Sequence, residues 1–404
     1  MLKGKYIFIL GTAKFDGPFE STSFTVAKHL AKDNYVFYID YPFTWKDYLM
    51  LRGTDSFKRR KKYFSYFSEG IMPTEINNLK IIITPPVASI NFLPEGKLYR
   101  SILPLNEKLI IDRIRKIIRK YNIIDSIYIN SFNFHYPNIA EGFNPSLTVY
   151  QCVDPLIINH DKRHGIVSEN ELLKKSDLVI CTSKQLYEEK KLINKHTYFI
   201  PNAADIVLST KALDVNLPIH ESLKGIKKPI IGYLGAIERR MDYELLIKVI
   251  KLNPNKSFVF AGPISREFIP DNFLELRNVF FPGRIPYDEM PAMLKGFDVA
   301  LIPFKVDSVS RTIFPLKLFE YLGAGKPVVA TDFNPDLKDF TKDVVVYCND
   351  AISFSDAIND CLISKDDNKK RIALAEENTW EKRGNDISIL LDKYFEQKKS
   401  NNSC

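Results

Sequence analysis

The chain alternates short, β-rich apolar runs with loops and amphipathic stretches, and this pattern limits its folds more than any other feature. In the first half the runs lie at residues 6–10, 35–40, 81–84, 126–130, 147–152, 178–182 and 198–200. In the second half they lie at 229–234, 258–261, 279–281, 299–302, 328–330 and 344–347. Many are apolar almost without interruption, as strands buried on both faces must be. Helical patterns fall between them, at 21–32, 106–121, 242–252, 288–295 and 316–323, and Ile110, Ile114, Ile117 and Ile118 form one stripe of the second. Strands that alternate with helices pair in parallel, because each return to the sheet crosses over through a helix. With 404 residues the chain exceeds the roughly 250–300 that one core supports, so two α/β domains are expected. The first covers 1–205, an aperiodic connector with Pro218 and Gly225 covers 206–227, and the second covers 228–379. A further amphipathic helix follows at about 380–396.

Hydrophobic residues make up 45% and charged residues 26%, a globular composition that excludes a disordered or fibrous chain. Lys and Arg number 57 against 49 Asp and Glu, a net charge of +8. That excess suits anionic small molecules, an anionic membrane or nucleic acid without choosing among them. Cys152, Cys181, Cys348, Cys361 and Cys404 include no C-x-x-C pair, and three lie in or beside apolar runs. Reduced thiols and a cytoplasmic location are therefore expected. The run at 6–10 is too short for a signal peptide, and no stretch approaches the ~20 apolar residues of a membrane span. No metal is expected, because D-x-D, H-E-x-x-H and cysteine–histidine clusters of ligand spacing are missing from the sequence.

In parallel-sheet domains ligands bind at the carboxyl ends of strands, so the chemistry is sought in the loops that follow the runs. The segment 311–331, RTIFPLKLFEYLGAGKPVVAT, reads as a loop, a helix starting near Pro315 and Leu316, a glycine stop and a buried strand. The free N–H groups of that helix form an anion site suited to a diphosphate, with Lys317 adding a charge in the first turn. Glu320 could accept both hydroxyls of a ribose. Alternatively, Lys317 and Glu320 are a solvated i,i+3 pair. Gly235–Arg240, GAIERR, follows a strand, and Arg240 can bind a diphosphate there. The competing reading pairs Arg239 or Arg240 with Asp242 or Glu244. Asp154 ends a strand and could orient an acceptor hydroxyl or take its proton. With Pro155 next to it, it could equally cap a helix. The Rossmann fingerprint is absent from GTAKFDGPFE, the loop after the first run.

The stretch from Pro315 to Val329, PLKLFEYLGAGKPVV, resembles the nucleotide-sugar signature of the retaining GT-B glycosyltransferases of family 4. The likeness continues through IGYLG at 231–235, Arg240-Met-Asp242, FAGP at 260–263, NVFFPGR at 278–284 and DVALIPF at 298–304. Upstream, VYQCVD, SDLVICTS and IPNAAD resemble the acceptor domain of a teichuronic-acid and capsule polysaccharide subgroup. The resemblance implies a GT-B fold, in which two Rossmann-like parallel-sheet domains face a central cleft, with the last helix crossing back to the first domain. It implies that Arg240 and Lys317 meet the diphosphate and Glu320 the ribose. It places Pro263 and Arg284 near the base, Gly17 by the donor phosphates, and His135 at the reaction centre; a surface or core-edge histidine is the plain alternative for His135. Family members carry a glutamate where this chain has Thr312, so Thr312 and Phe314, with the Arg240 loop, would set the sugar.

The expected function is transfer of a sugar, with retention, from a nucleotide-diphosphate sugar to a saccharide or lipid-linked saccharide in bacterial surface polysaccharide synthesis. The donor is a substrate and no cofactor is required; a UDP-sugar is the first expectation. The alternatives are an epimerase or another GT-B enzyme, or a non-catalytic nucleotide-sugar-binding partner. Two basic stretches lie in the first half: Lys58, Arg59, Arg60, Lys61 and Lys62, and a helix with Lys108, Arg113, Arg115, Lys116, Arg119 and Lys120. They suggest a peripheral place on the inner, anionic face of the cytoplasmic membrane. Nucleic acid is not expected, because no binding motif accompanies the charge. A solvated basic face is the plain alternative.

Overall fold

A computed structural model describes residues 1–17, 21–364 and 368–402. Residues 18–20 of the first loop and Cys404 lie outside them. The chain divides into two compact units, Met1–Pro201 with Arg383–Cys404, and Asn202–Lys382.

The first unit holds β1 (Tyr6–Gly11), β2 (Tyr35–Ile39), β3 (Ile71–Pro73), β4 (Leu79–Ile82), β5 (Ser126–Ser131), β6 (Leu147–Cys152), β7 (Leu178–Cys181) and β8 (Thr197–Phe199). Their order is β3-β4-β2-β1-β5-β6-β7-β8, parallel except for the edge pair β3–β4. Sequence patterning missed β3, because three residues ending in proline show no alternation; proline is tolerated there because an edge strand leaves one N–H row unpaired. β1 pairs with β2 on one side and β5 on the other, so the strand order reverses at β1. The helix expected at 106–121 runs over Lys97–Lys120 and passes through Pro104. It lays Tyr99, Leu103, Ile110, Ile114 and Ile117 against Phe8, Phe37 and Tyr128. The last helix, Trp380–Asn402, belongs to this unit from Arg383 on. Ser388 Oγ accepts the Leu2 N–H at 3.1 Å, and the Tyr394 and Tyr198 hydroxyls lie 2.8 Å apart.

The second unit holds β9 (Ile230–Leu234), β10 (Ser257–Ala261), β11 (Val279–Gly283), β12 (Val299–Ile302), β13 (Val328–Thr331) and β14 (Val345–Cys348). The order is β11-β10-β9-β12-β13-β14, all parallel, with a second reversal at β9 between β10 and β12. The segment 206–227 is part of this unit. It forms a short helix, Ile206–Ser209, and two 3-10 turns. Lys295 Nζ donates to the carbonyls of Asp214, Val215 and Leu217 at 2.6, 2.9 and 2.6 Å. Cys152, Cys181 and Cys348 are buried. Among the described residues no helix is long and apolar enough to cross a membrane, and no group of three or more His, Cys, Asp or Glu could hold a metal.

The two basic stretches divide between interior and surface. Arg60 is fully buried at 0% exposure. Its Nε donates to Asp40 at 2.7 Å, its terminal nitrogens to Asp16 at 2.6 and 2.9 Å, and Nη1 to the Ser56 carbonyl at 2.9 Å. Burial raises the Asp40 carboxyl. At Asp16 the same burial effect is outweighed by Arg60 and Arg59, which hold that carboxyl below its ordinary value. Arg113 is also buried and donates to the carbonyls of Ser65, Tyr63 and Ser68. Lys116 donates to the Tyr66 carbonyl, and Lys120 pairs with Glu69. The helix cations therefore hold the loop at 63–69 in place. Removing one partner of a buried ion set leaves an uncompensated charge, so Arg60→Met should cost about 3–5 kcal/mol. Exposed Lys58→Ala should stay within about 0.5 kcal/mol. Urea denaturation of the two variants checks the contrast.

Candidate functional site

In the second unit the loop after β9 is fixed from three sides. From the helix Leu316–Gly323, the Tyr321 hydroxyl accepts the Leu234 N–H at 2.8 Å and donates to the Leu234 carbonyl at 3.1 Å. Burial pushes that phenol's pKa well above its ordinary value. Ile237 N–H donates to the Pro263 carbonyl and Ser265 N–H to the Ile237 carbonyl, at 2.9 and 3.0 Å, which ties the loop to the end of β10. Asp242 N–H donates to Pro303 and Lys305 N–H to Arg240, both at 2.8 Å, which ties it to the end of β12.

Two glycines make this close approach possible. Gly235 and Gly262 have φ of +147° and +150°, and a Cβ on Gly262 would overlap the Gly235 carbonyl. A Cβ on Gly235 would lie 2.6 Å from Lys317 Nζ. The ammonium is thus beside bare backbone, held by a 2.9 Å hydrogen bond to the Tyr233 hydroxyl and by the rings of Tyr233 and Phe304, 4.6 and 5.2 Å away. The Tyr233 hydroxyl in turn donates to the Ala236 carbonyl at 3.0 Å. No side chain caps the N-terminus of the helix Leu316–Gly323, whose cap residue is Pro315. First-turn amides without a side-chain cap, the helix dipole and one ammonium converge there, an arrangement that attracts an anion.

The remaining residues divide. Arg240 is exposed and its Nε pairs with Glu238 at 3.0 Å, a partner that neither sequence reading named. Asp242 instead caps the helix Tyr243–Leu252, accepting the Leu245 N–H at 3.0 Å, and Glu244 pairs with Lys248 at 2.8 Å. Glu320 is half-buried one turn after Lys317, Leu316 is half-buried, and Arg284 is exposed beyond β11. Thr312 is buried and its hydroxyl donates to the Val309 carbonyl at 2.7 Å, leaving only lone pairs for a further partner. Phe314 is packed inward, stacked on Phe319 at 5.5 Å and edge-on to Phe340 at 5.1 Å.

In the first unit, Gly17, His135 and Asp154 follow β1, β5 and β6, on the carboxyl edge of the sheet. Gly17 is exposed and its N–H donates to the Lys14 carbonyl at 3.1 Å. The β5 loop is held to the β1 end by Asn133, whose Nδ2 donates to the Gly11 carbonyl at 2.8 Å. Asn130 accepts the Asn133 N–H at 2.7 Å. His135 Nδ1 faces Asn91 Nδ2 at 3.3 Å; an amide nitrogen only donates, so the proton of the neutral ring is assigned to Nε2. Burial pushes its imidazole pKa down to about 4. Asp154 is exposed, and the following helix starts only at Asn159 with Ile158 as its cap residue, so Asp154 does not cap it. Tyr233, Phe304 and Asn133 were missed by sequence reasoning. Each acts through tertiary contacts, and only the N-x-x-N spacing of Asn130 and Asn133 leaves a local trace.

Residues 219–378 match the family model described as glycosyl transferases group 1. The second unit is a group 1 glycosyl transferase domain. The chain is similar to TuaH of Bacillus subtilis (strain 168), provisionally named a teichuronic acid biosynthesis glycosyltransferase, with 26% identity over 213 residues. That match spans 49% of this chain and about half, 53%, of TuaH. Sucrose-phosphate synthase from Thermosynechococcus elongatus superposes with a TM-score of 0.62 at 15% identity, over 98% of this chain and 99% of its own. Anabaena HepE in complex with UDP gives 0.62 at 13% identity, over 96% of this chain and 100% of its own. The fold is that of the GT-B glycosyltransferases. The matched residues include the loop after β9 and the helix Leu316–Gly323.

Two expectations follow. Gly262→Ala forces a side chain into the Gly235 carbonyl and should cost about 2–4 kcal/mol, read as a lower thermal midpoint. His135, lowered to about 4, should remain neutral at pH 6 by NMR titration. An unfolded imidazole titrates near 6.5. The contribution of neutral His135 to stability should therefore be complete above pH ~6.5 and lost as pH falls toward ~4. His135→Asn should flatten the pH dependence of stability in that window.

Proposed function

We propose that the protein transfers a sugar from a nucleotide-diphosphate sugar to a saccharide or lipid-linked saccharide acceptor in surface polysaccharide synthesis. The observation that carries this reading is the Lys317 ammonium, held against bare backbone at Gly235 beside an uncapped helix N-terminus. The UDP bound by HepE and the name carried by TuaH support a UDP-sugar donor and a polysaccharide product.

In this mechanism the bond between the anomeric carbon and the β-phosphate oxygen breaks as the acceptor oxygen bonds to that carbon from the same face. The acceptor proton passes to a phosphate oxygen, and the anomeric configuration is retained. Lys317, Arg240 and the helix amides stabilise the charge that develops on the diphosphate, so no metal is needed. Glu320 accepts the ribose hydroxyls, Thr312 accepts a hydrogen bond from a sugar hydroxyl, and Pro263 and Arg284 flank the base. Gly17 backs the phosphates. His135, neutral with Nε2–H free to donate, orients the reacting groups, and Asp154 receives an acceptor hydroxyl. Arg240 would leave Glu238 to reach a phosphate. Thr312, with its proton committed to Val309, also favours a second reading, a donor-binding protein without turnover.

Nucleotide release from a donor panel, with and without acceptor saccharides, separates the readings. Lys317→Ala should lower kcat/KM by about 100-fold or more, the order seen when one charge-stabilising donor is removed. Glu320→Ala should act mainly on the KM for donor, and Arg240→Ala on kcat. Near-normal turnover in all three variants would sink the assignment. UDP binding by the wild type, without release from any donor, would select the non-catalytic reading.

A further inference from the structure

The helix Trp45–Met50 in the first unit contains no buried residue. Trp45, Leu49 and Met50 are 55, 60 and 71% exposed. The helix is nonetheless firmly mounted. Thr44 and Asp47 form a capping box, with Asp47 Oδ2 accepting the Thr44 N–H at 2.9 Å. Its Tyr48 packs edge-on against Phe57 and Phe64, with ring centroids 5.1 and 5.6 Å apart. Phe57 belongs to the adjoining helix, Asp55–Arg60, whose Arg60 is buried against Asp16 and Asp40. That helix and the turn after it expose Lys58, Arg59, Lys61 and Lys62, and Lys46 and Arg52 flank the apolar trio. The acidic residues that face these cations are Asp47, engaged in the capping box, Asp55, paired with Lys58 at 3.4 Å, and Asp16, which the half-exposed Arg59 reaches at 3.1 Å.

Ordinary surface helices turn their large apolar side chains inward. Here Tyr48 turns in while a tryptophan, a leucine and a methionine stand out among cations. We propose that Trp45, Leu49 and Met50, with Lys46, Arg52, Lys58, Arg59, Lys61 and Lys62, form a docking surface for an anionic lipid bilayer. The apolar trio enters the headgroup–acyl boundary and the cations meet lipid phosphates. Charge complementarity selects a bilayer over a second copy of this chain, whose same face would present the same cations. The surface differs from the one that charge runs in the sequence indicated. It gains an apolar ridge, loses Arg60 to the interior, and excludes the helix Lys97–Lys120, whose Arg113, Lys116 and Lys120 hold a loop. This inference goes beyond the transferase reading and does not rest on it.

Co-sedimentation of the full chain with phosphatidylglycerol–phosphatidylcholine vesicles tests it, against phosphatidylcholine alone and against 1 M salt. Wild type should bind the anionic vesicles, and at least 10-fold more weakly in both controls. W45S/L49S/M50S and K58E/K61E/K62E should each reduce binding at least 10-fold with an unchanged thermal midpoint, while K108E/R119E should bind as wild type does. Wild-type failure to bind anionic vesicles would overturn the proposal, as would wild-type binding by either triple variant. A W45S/L49S/M50S variant that loses self-association in ultracentrifugation and keeps vesicle binding would also overturn it, and would assign the ridge to a second copy.

Discussion

A parallel strand cannot be reached from its neighbour by a tight turn, and the organisation of each unit follows from that constraint. Every return needs a crossover, so the segments leaving the strands emerge on one edge of each sheet. Where strand order reverses, at β1 and at β9, two of these segments diverge and leave a crevice. Nearly every residue with a proposed chemical role lies on that edge of its own unit: Gly17, His135 and Asp154 in the first, Gly235, Arg240, Pro263 and Arg284 in the second. The helix Leu316–Gly323, which leads from β12 into β13, brings Lys317 to the end of β9.

The groups around the end of β9 are held in place by the fold itself. Lys317 is fixed by a phenol and two aromatic faces rather than by a carboxylate, so its charge is oriented without being neutralised. The Tyr321 clamp and the two glycines hold the adjoining backbone in one conformation. Groups fixed in this way need little reorganisation when charge develops nearby. Arg240 contrasts with this, since its pairing with Glu238 is exposed and inexpensive to exchange.

Charge in the first unit is divided between interior and surface in a way its sequence clustering conceals. Within 58–62 one guanidinium is buried in a carboxylate pair and its neighbours are exposed. A buried arginine needs every donor occupied, and Asp16, Asp40 and Ser56 supply that. The outcome mounts the exposed cations rigidly and links them to the loop after β1, through Asp16.

The alternation of apolar runs and helical stripes carried most of the fold, because burial on both faces and a helical period are written locally in residue order. The strands and the helix at Leu316–Gly323 were legible for that reason, and so were the two short motifs that carry Gly235 and Lys317, which the fold brings side by side. β3 was too short to show a period, and Pro104 interrupted the signal of the longest first-unit helix. The partners of charged side chains were not legible. Arg240 finds Glu238 rather than Asp242 or Glu244, Lys317 finds Tyr233, and Arg60 finds Asp16 and Asp40, because these contacts join segments distant in sequence or depend on which way a loop turns. Local order determined which segments are strands and helices and which loops carry candidate chemistry. Tertiary packing alone decided which cations are buried, which are paired, and which remain open to a ligand, since desolvation and hydrogen-bond geometry are properties of the assembled unit.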